Sequence, residues 1–186
     1  MSTDCPKRKR MLHPWQADVY GLVFGASLKY DRVRIHECTA WPDRIDRLGR
    51  RLKGMEPPGE NEHNAITVGD HCIFPVRLPE SLPAAGDPDN YKLGWLIHEL
   101  THVWQYQHIG WRYLTKALIA QFRDKDQAYD YGGEAGLLKS RQEDKRFMQF
   151  NPEQQGNIVQ DYFVRKRANL DVNAWQPYID DLQSMI

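Results

Sequence analysis

The residues most capable of metal binding or catalysis lie near the middle of the chain, in the pentapeptide His98-Glu99-Leu100-Thr101-His102. In a helix, residues four apart lie one turn apart on the same face, so both histidines can reach a single metal ion. Neutral imidazoles bind Zn²⁺ at roughly 2.0–2.1 Å. A carboxylate beside such a pair, here that of Glu99, can accept a proton from a zinc-bound water. The H-E-x-x-H spacing therefore indicates metal-assisted hydrolysis.

The residues around this motif have the periodicity of an amphipathic helix. At about 100° per residue, its apolar side chains form one stripe, and the two histidines lie on the opposite face. Upstream, Asp87-Pro88-Asp89-Asn90 supplies residues that cap helix N-termini, and Gly110 suits the position after a C-terminus. The alternative is a surface helix that carries two histidines and a glutamate by chance. The apolar stripe consists of Leu93, Leu96, Ile97, Leu100 and Trp104.

A catalytic zinc normally has three protein ligands and a water, so one protein ligand is missing from the motif. Glu153 follows Asn151-Pro152, a cap and first-turn proline that begin a helix. It can be the ligand, or it can simply stabilise the helix dipole. Glu134, which lies between two glycine-containing pairs, is the second candidate. His108 has the spacing of a longer H-E-x-x-H-x-x-G-x-x-H pattern, but Gln105 stands where that pattern has glycine, and a continued helix turns His108 away.

A tyrosine near the metal would donate a hydrogen bond to the oxyanion that develops during peptide hydrolysis. The candidates are Tyr129, Tyr131 and Tyr162. Asp161 is either a hydrogen-bond partner of a ligating histidine or an ordinary surface acid.

Alternation and turn chemistry predict strands before the motif helix and helices after it. Apolar and charged residues alternate in 31–39, which predicts a half-buried strand. Gly69-Asp70 predicts a turn or bulge within a second strand segment, 65–75. This order predicts an α+β fold with a small mixed sheet, as a single domain over 15–186 that follows a flexible tail, 1–14. Further helices are predicted over 15–28, 43–53, 111–122, 151–163 and 174–186, and loops over 57–62, 75–89 and 124–136.

The composition is that of an ordinary globular protein, with 186 residues, 41% of them hydrophobic and 27% charged. The formal net charge is zero, which argues against attraction to nucleic acid, and the basic run 7–10 is too short to change that expectation. No apolar run approaches the length of a membrane span, and the N-terminus lacks the apolar region of a signal peptide.

The three cysteines contain no C-x-x-C pair and are expected as free thiols, with a Cys38–Cys72 bridge as the alternative.

The motif helix resembles the zincin-like metallopeptidase domains of bacterial toxins, including domains fused to spike proteins of type VI secretion systems and related contractile injection machines. In such domains the glutamate of an E-Q-Q segment is the third zinc ligand, which implies Glu153 here. Unlike those proteins, this sequence contains no spike or repeat region. The resemblance is carried by His98-Glu99-Leu100-Thr101-His102-Val103-Trp104-Gln105, Asn151-Pro152-Glu153-Gln154-Gln155 and Val33-Arg34-Ile35.

Motif and resemblance together imply a gluzincin-type zinc metallopeptidase. One Zn²⁺ per chain is expected on His98, His102 and Glu153, with Glu99 as the general base. The expected partners are a protein or peptide substrate and a secretion spike or immunity protein. The resemblance implies synthesis in the bacterial cytoplasm without a signal peptide and delivery by a secretion system. The alternative is a metal-stabilised, non-catalytic zincin-like binding module, although Glu99 has no role in such a module.

Overall fold

The computed structural model describes residues 5–40, 64–84, 86–111 and 129–185. Within these residues a four-stranded sheet packs on one long helix, and four further α-helices are present. This mixed arrangement confirms the predicted α+β class. The strands are β1 (Arg8–Arg10), β2 (Arg34–Glu37), β3 (Ile66–Val68) and β4 (His71–Ile73). The helices are α1 (Pro14–Phe24), α2 (Asn90–Ile109), α3 (Gly133–Gln142), α4 (Pro152–Arg167) and α5 (Gln176–Gln183).

The sheet is mixed and has the strand order β1-β2-β4-β3. β2 and β4 are parallel in its middle, whereas β1 and β3 are antiparallel to their neighbours and form the two edges among the described strands. The predicted alternation in β2 is confirmed, since Ile35 is buried between half-buried residues. Gly69 has φ +64°, a backbone conformation that glycine adopts without strain, and it turns the chain from β3 into β4. The predicted turn therefore divides the 65–75 segment into a hairpin.

The expected flexible tail is wrong for residues 5–13, which belong to the folded structure. β1 pairs with β2 and places Lys9 opposite His36. A disulfide joins Cys5 to Cys38, with 5.6 Å between their Cα atoms, and Cys72 is a buried free cysteine. The expectation of three free thiols and the alternative Cys38–Cys72 bridge are therefore both wrong. Local sequence could not predict this, because an edge strand forms only against a partner strand from elsewhere in the chain.

α2 is the helix predicted around the H-E-x-x-H motif, and it ends before Gly110, which has φ +67° as a C-terminal glycine often does. All five residues of its predicted apolar stripe are buried in the core. Each large apolar side chain that is fully buried contributes about 1.5–3 kcal/mol. The stripe therefore determines which face of α2 is turned away from the core, and that face carries the histidines.

Three of the other helices, α1, α4 and α5, overlap segments predicted to be helical, although α4 continues four residues beyond the predicted 151–163. α3 is a correction, because the loop predicted up to residue 136 ends earlier. α3 begins with glycines, a composition that is typical of a loop, and Gly132 and Gly133 both have positive φ. The predicted segments 43–53 and 57–62, and all of 111–122 except Trp111, lie outside the described residues. None of the described helices is long and apolar enough to cross a lipid bilayer.

Candidate metal centre

Two successive turns of α2 bring the imidazoles of His98 and His102 together. Their ring centroids are 5.0 Å apart, and both side chains are buried. The opposite face of α2 is held in the core by the apolar stripe, so the histidine face is turned towards α4. The histidine pair predicted from the spacing is thus present on one face of one helix.

The start of α4 follows from a capping box. The side chain of Asn151 accepts a hydrogen bond from the Gln154 amide at 2.9 Å, and the Gln154 side chain accepts one from the Asn151 amide at 3.3 Å. Pro152 takes the first helical position, where the missing N–H costs nothing. These three residues begin the helix where the sequence predicted, and they place Glu153 in its first turn.

α2 and α4 approach closely at two glycines. A Cβ on Gly94 would lie 3.2 Å from Cγ2 of Val164, and a Cβ on Gly156 would lie 2.6 Å from Cε1 of His98. Moving forward along α2 therefore means moving backward along α4, so the two helices are antiparallel. This arrangement brings the first turn of α4 next to the histidines.

His98, His102 and Glu153 converge, and they offer three ligand atoms that lie within 4.8 Å of one another. Oε2 of Glu153 is 3.3 Å from Nε2 of His98 and 3.5 Å from Nε2 of His102. A tetrahedral ion with ligands at 2.0–2.1 Å separates its ligand atoms by roughly 3.3–3.4 Å. The donor set, two imidazole nitrogens and one carboxylate oxygen, is also the set that catalytic zinc uses. The residues therefore fit a zinc ion.

The electrostatics of the triad show strong coupling between its members. Burial by itself would lower the pKa of His102, but the charge and hydrogen bond of Glu153 outweigh it and raise the pKa to about 9. Burial likewise opposes ionisation of Glu153, yet the two imidazoles hold the pKa of its carboxyl well below the usual range. Glu153 is therefore a buried anion, which is a strong ligand for a cation.

A chain of buried amides orients His102. Nδ1 of His102 lies 2.8 Å from Oε1 of Gln105. The Gln105 amide group donates to the carbonyl of Pro152 at 3.0 Å and to Oε1 of Gln155 at 2.8 Å. Gln155 in turn donates to the carbonyls of Phe147 and Phe150.

The directions of these hydrogen bonds follow from the backbone. Carbonyl oxygens only accept, so the NH₂ groups of Gln105 and Gln155 must face them, and Oε1 of Gln105 must face His102. An amide oxygen also only accepts, so Nδ1 of His102 carries a proton. In the neutral ring this leaves the lone pair on Nε2, the atom that faces Glu153.

Glu99 is held from the other side, by the sheet. Oγ1 of Thr67, in the middle of β3, donates to Oε2 of Glu99 at 2.7 Å. Both residues are buried. The negative charge of Glu99 is also among the groups that raise the pKa of His102, which places this carboxylate in the electrostatic environment of the triad.

The two alternative third ligands lie elsewhere. Glu134 is exposed in the first turn of α3, and its Oε2 is 4.0 Å from Nη2 of Arg165. Nε2 of His108 is 2.8 Å from the carbonyl oxygen of Ser27, and its ring packs on Trp104. Among the candidates, only Glu153 joins the histidine pair.

Each of the three tyrosines predicted as oxyanion donors makes a hydrogen bond within the described structure. The hydroxyl of Tyr131 donates to Asp161 and accepts from Nε1 of Trp175. The hydroxyl of Tyr162 donates to Gln176, and Tyr162 lies nine residues after Glu153, about 13–14 Å further along α4. The backbone carbonyl of Tyr129 accepts from Asn157. A role as oxyanion donor remains a prediction for all three tyrosines.

Sequence reasoning missed four residues that support the site: Thr67, Gln105, Gln155 and Gly156. The sequence pattern indicates Gln105 only as a helix former in place of a glycine and Gln155 only as part of the E-Q-Q segment. A signal was available, since both fall on buried helix faces, where a glutamine needs a partner for its amide. Thr67 gave no such signal, because threonine is common in strands.

Fold and site together define an α+β protein with a buried triad of two histidines and one glutamate that could hold a metal ion. Over 158 residues, or 82% of this chain, it is 43% identical to the type VI secretion system spike protein VgrG2b of Pseudomonas aeruginosa. That stretch is 13% of the spike protein, so the chain spans only a small part of the length of the relative it matches. No protein-family profile and no solved structure matches the chain.

Proposed function

We propose that the protein is a zinc-dependent metallopeptidase in which His98, His102 and Glu153 bind the metal and Glu99 is the general base. The observation that carries this proposal is the convergence of three buried ligand groups, in which the Glu153 oxygen lies 3.3 and 3.5 Å from the two imidazole nitrogens, close to the ligand spacing of a tetrahedral zinc site. Structural zinc sites use four protein ligands, whereas catalytic sites use three and keep the fourth position for water. Glu99 adds no ligand, so a role in proton transfer explains its position beside the triad.

The residues of the chain divide the chemistry between them. Zinc bound by the triad would polarise the scissile carbonyl and lower the pKa of a coordinated water. Glu99 accepts a proton from the attacking water and passes it to the leaving amide nitrogen. Gln105 keeps His102 in the tautomer that presents Nε2 to the metal. Glu153 brings the negative charge that favours binding of a cation.

An extended peptide is the substrate class that suits the sheet. β3 is an edge strand, and among the described strands it pairs only with β4. An extended chain can add to such an edge through backbone hydrogen bonds, with its side chains entering alternate pockets. β3 also contacts α2, and Thr67 connects it directly to Glu99. A substrate bound along β3 would therefore lie next to the general base.

We further propose that the protein is associated with a type VI secretion spike, which would deliver it to a target cell. The support is the similarity to VgrG2b over most of this chain. In a bacterium that carries the gene, the protein should appear in the culture medium when the secretion machine is active. It should be retained in the cells when the contractile sheath is deleted.

The peptidase proposal is tested with purified protein, by measuring metal content and hydrolysis of a denatured protein mixture with and without a chelator. We expect one zinc per chain and cleavage that stops when the chelator is added. Glu99→Gln should retain zinc but lose at least about 100-fold in rate, because a general base contributes 10²–10⁴-fold. Glu153→Gln should lose zinc, whereas Glu134→Gln is the matched control and should keep both zinc and activity.

The outcomes separate the enzyme from the binding module. Full activity in Glu99→Gln would disprove the mechanism. One zinc per chain with no cleavage of any member of a peptide library would favour a metal-stabilised module that binds without cutting.

A further inference from the structure

We infer that Thr67 is a positioning residue that holds the carboxylate of Glu99 in place for proton transfer. The inference rests on the proposed peptidase function and extends it to the sheet, since Thr67 belongs to β3 whereas Glu99 belongs to α2. The two residues are 32 positions apart in the chain, and only the packing of β3 on α2 brings them together.

The geometry identifies the bond that the hydroxyl makes. Oγ1 of Thr67 is 2.7 Å from Oε2 of Glu99 and 3.2 Å from the backbone oxygen of the same residue. A hydroxyl has one proton, and the shorter contact is the one to the carboxylate, where a charge-assisted hydrogen bond is strongest. Both side chains are about 5% exposed, so water competes weakly for either group.

This bond assigns different tasks to the two carboxylate oxygens of Glu99. Oε2 is occupied by the threonine hydroxyl, which leaves Oε1 as the oxygen that exchanges protons with the attacking water. A glutamate side chain has several rotatable bonds, and fixing its end group removes conformations that cannot reach the reacting atoms. Thr67 thus increases the fraction of time in which Glu99 is ready to act.

A second buried threonine, Thr101, lies on the same helix as Glu99 and shows how a purely structural hydroxyl behaves. Oγ1 of Thr101 donates to the carbonyl of Ile97, one turn back on α2, at 3.0 Å. Thr101 lies two residues from Glu99, about 160° around the helix from it. The hydroxyl of Thr67 instead crosses from the sheet to a carboxylate, which a structural role does not require. Thr101 therefore provides the matched control for Thr67.

The experiment compares Thr67→Val, Thr67→Ser and Thr101→Val in the zinc-loaded protein, using cleavage of a fluorogenic peptide library as the activity. Valine keeps the shape of threonine without the hydroxyl, whereas serine keeps the hydroxyl. We expect Thr67→Val to lower kcat by about 10–100-fold, a part of the general-base contribution, with KM and zinc content unchanged. Thr67→Ser should recover most of kcat, and Thr101→Val should stay close to wild type even if its Tm falls. Wild-type kcat in Thr67→Val, or an equal loss in Thr67→Ser, would overturn the inference.

A second measurement keeps the inference testable if the wild-type protein cleaves no peptide, the result that would defeat the proposed function itself. Thermal unfolding is followed for Thr67→Val, Glu99→Ala and the double variant. If Thr67 holds the carboxylate, the decrease in Tm of the double variant is smaller than the sum of the two single decreases. Strictly additive decreases would show that the hydroxyl does not hold Glu99.

Discussion

The backbone of Gly156 lies against the imidazole of His98. A Cβ at this position would stand 2.6 Å from Cε1, 2.7 Å from Nε2 and 2.8 Å from Nδ1 of the ring. Contacts shorter than 3 Å are too close for a carbon atom, so any side chain here would have to displace the ring of His98. The glycine that follows Glu153-Gln154-Gln155 is therefore part of the proposed metal centre.

Gly156→Ala should weaken zinc binding by about 10-fold or more, because His98 must turn away from Glu153 or α4 must shift. It should also lower the free energy of unfolding by about 1–3 kcal/mol, as overpacking does. The measurements are zinc competition with a chromophoric chelator and chemical denaturation. Gly21→Ala is the control: Gly21 lies in α1, a Cβ there would have no neighbour within 4 Å beyond the adjacent residues and the backbone of its own helix, and the change should be neutral or stabilising. Wild-type zinc affinity in Gly156→Ala would contradict the assignment.

Gln105→Ala should weaken zinc binding about 10–100-fold, the usual effect of removing the partner of a ligating histidine. Without Oε1 of Gln105, Nδ1 of His102 loses its acceptor, and Gln155 loses a donor. Gln107→Ala is the matched control, because Gln107 lies on the same helix but bonds to Lys29 and Asp70. If both variants bind zinc equally well, the buried amides do not orient the ligand.

Reduction of the Cys5–Cys38 disulfide should lower the free energy of unfolding by about 3–4 kcal/mol, because the bond closes a loop of 33 residues in the unfolded chain. A Cys5→Ser variant should be less stable and insensitive to reductant. Alkylation followed by mass spectrometry should label no thiol in the native protein and one thiol after denaturation. It should label three thiols when the protein is both denatured and reduced. Cys72 accounts for the single thiol, since burial raises its pKa and shields it from reagents. Two labels without reduction would rule out the bond.

The contact between His36 and His71 on the sheet should make the folded state less stable in acid. Nε2 of His36 is 2.8 Å from Nδ1 of His71, and burial, His71 and Lys9 together lower the pKa of His36 below 6.5. The unfolded state therefore binds more protons than the folded state, so the contribution of His36 is complete above pH 6.5 and is lost as the pH falls through the folded-state pKa.

The test is thermal unfolding of His36→Gln and wild type at intervals from about pH 8 to pH 5. The variant should show a smaller decrease in Tm towards acid. Lys9→Gln should lie between the two, because burial, the largest cause, remains. Parallel Tm curves for wild type and His36→Gln would show that this histidine does not contribute.

Several features followed from local sequence because they depend on neighbouring residues. The spacing of apolar residues around His98 and His102 determined a helix with one buried face, and the histidines were necessarily on the other. Asn151 and Pro152 determined where α4 begins, since a cap and a first-turn proline act on the next three amides. Gly69 determined the turn between β3 and β4.

Other features depended on which segments meet in space. Glu134 and Glu153 both lie in the first turn of a helix in the structure, and local sequence left both open as the third ligand. Only the antiparallel packing of α2 and α4 brings one of them to the histidines and leaves the other near Arg165. The edge strand β1 and the Cys5–Cys38 bond likewise needed a distant partner, as did the contact between Thr67 and Glu99.

The sequence by itself therefore determined the two imidazoles, their shared face and the carboxylate beside them. Tertiary structure alone decided which further carboxylate joins the two imidazoles as the third member of the triad, and which hydroxyl and amides orient these side chains. The physical reason is range. Helix periodicity and caps act within a few residues, whereas the contacts of Thr67 with Glu99, of Glu153 with His98 and of Gln105 with Gln155 each join residues that are more than 30 positions apart.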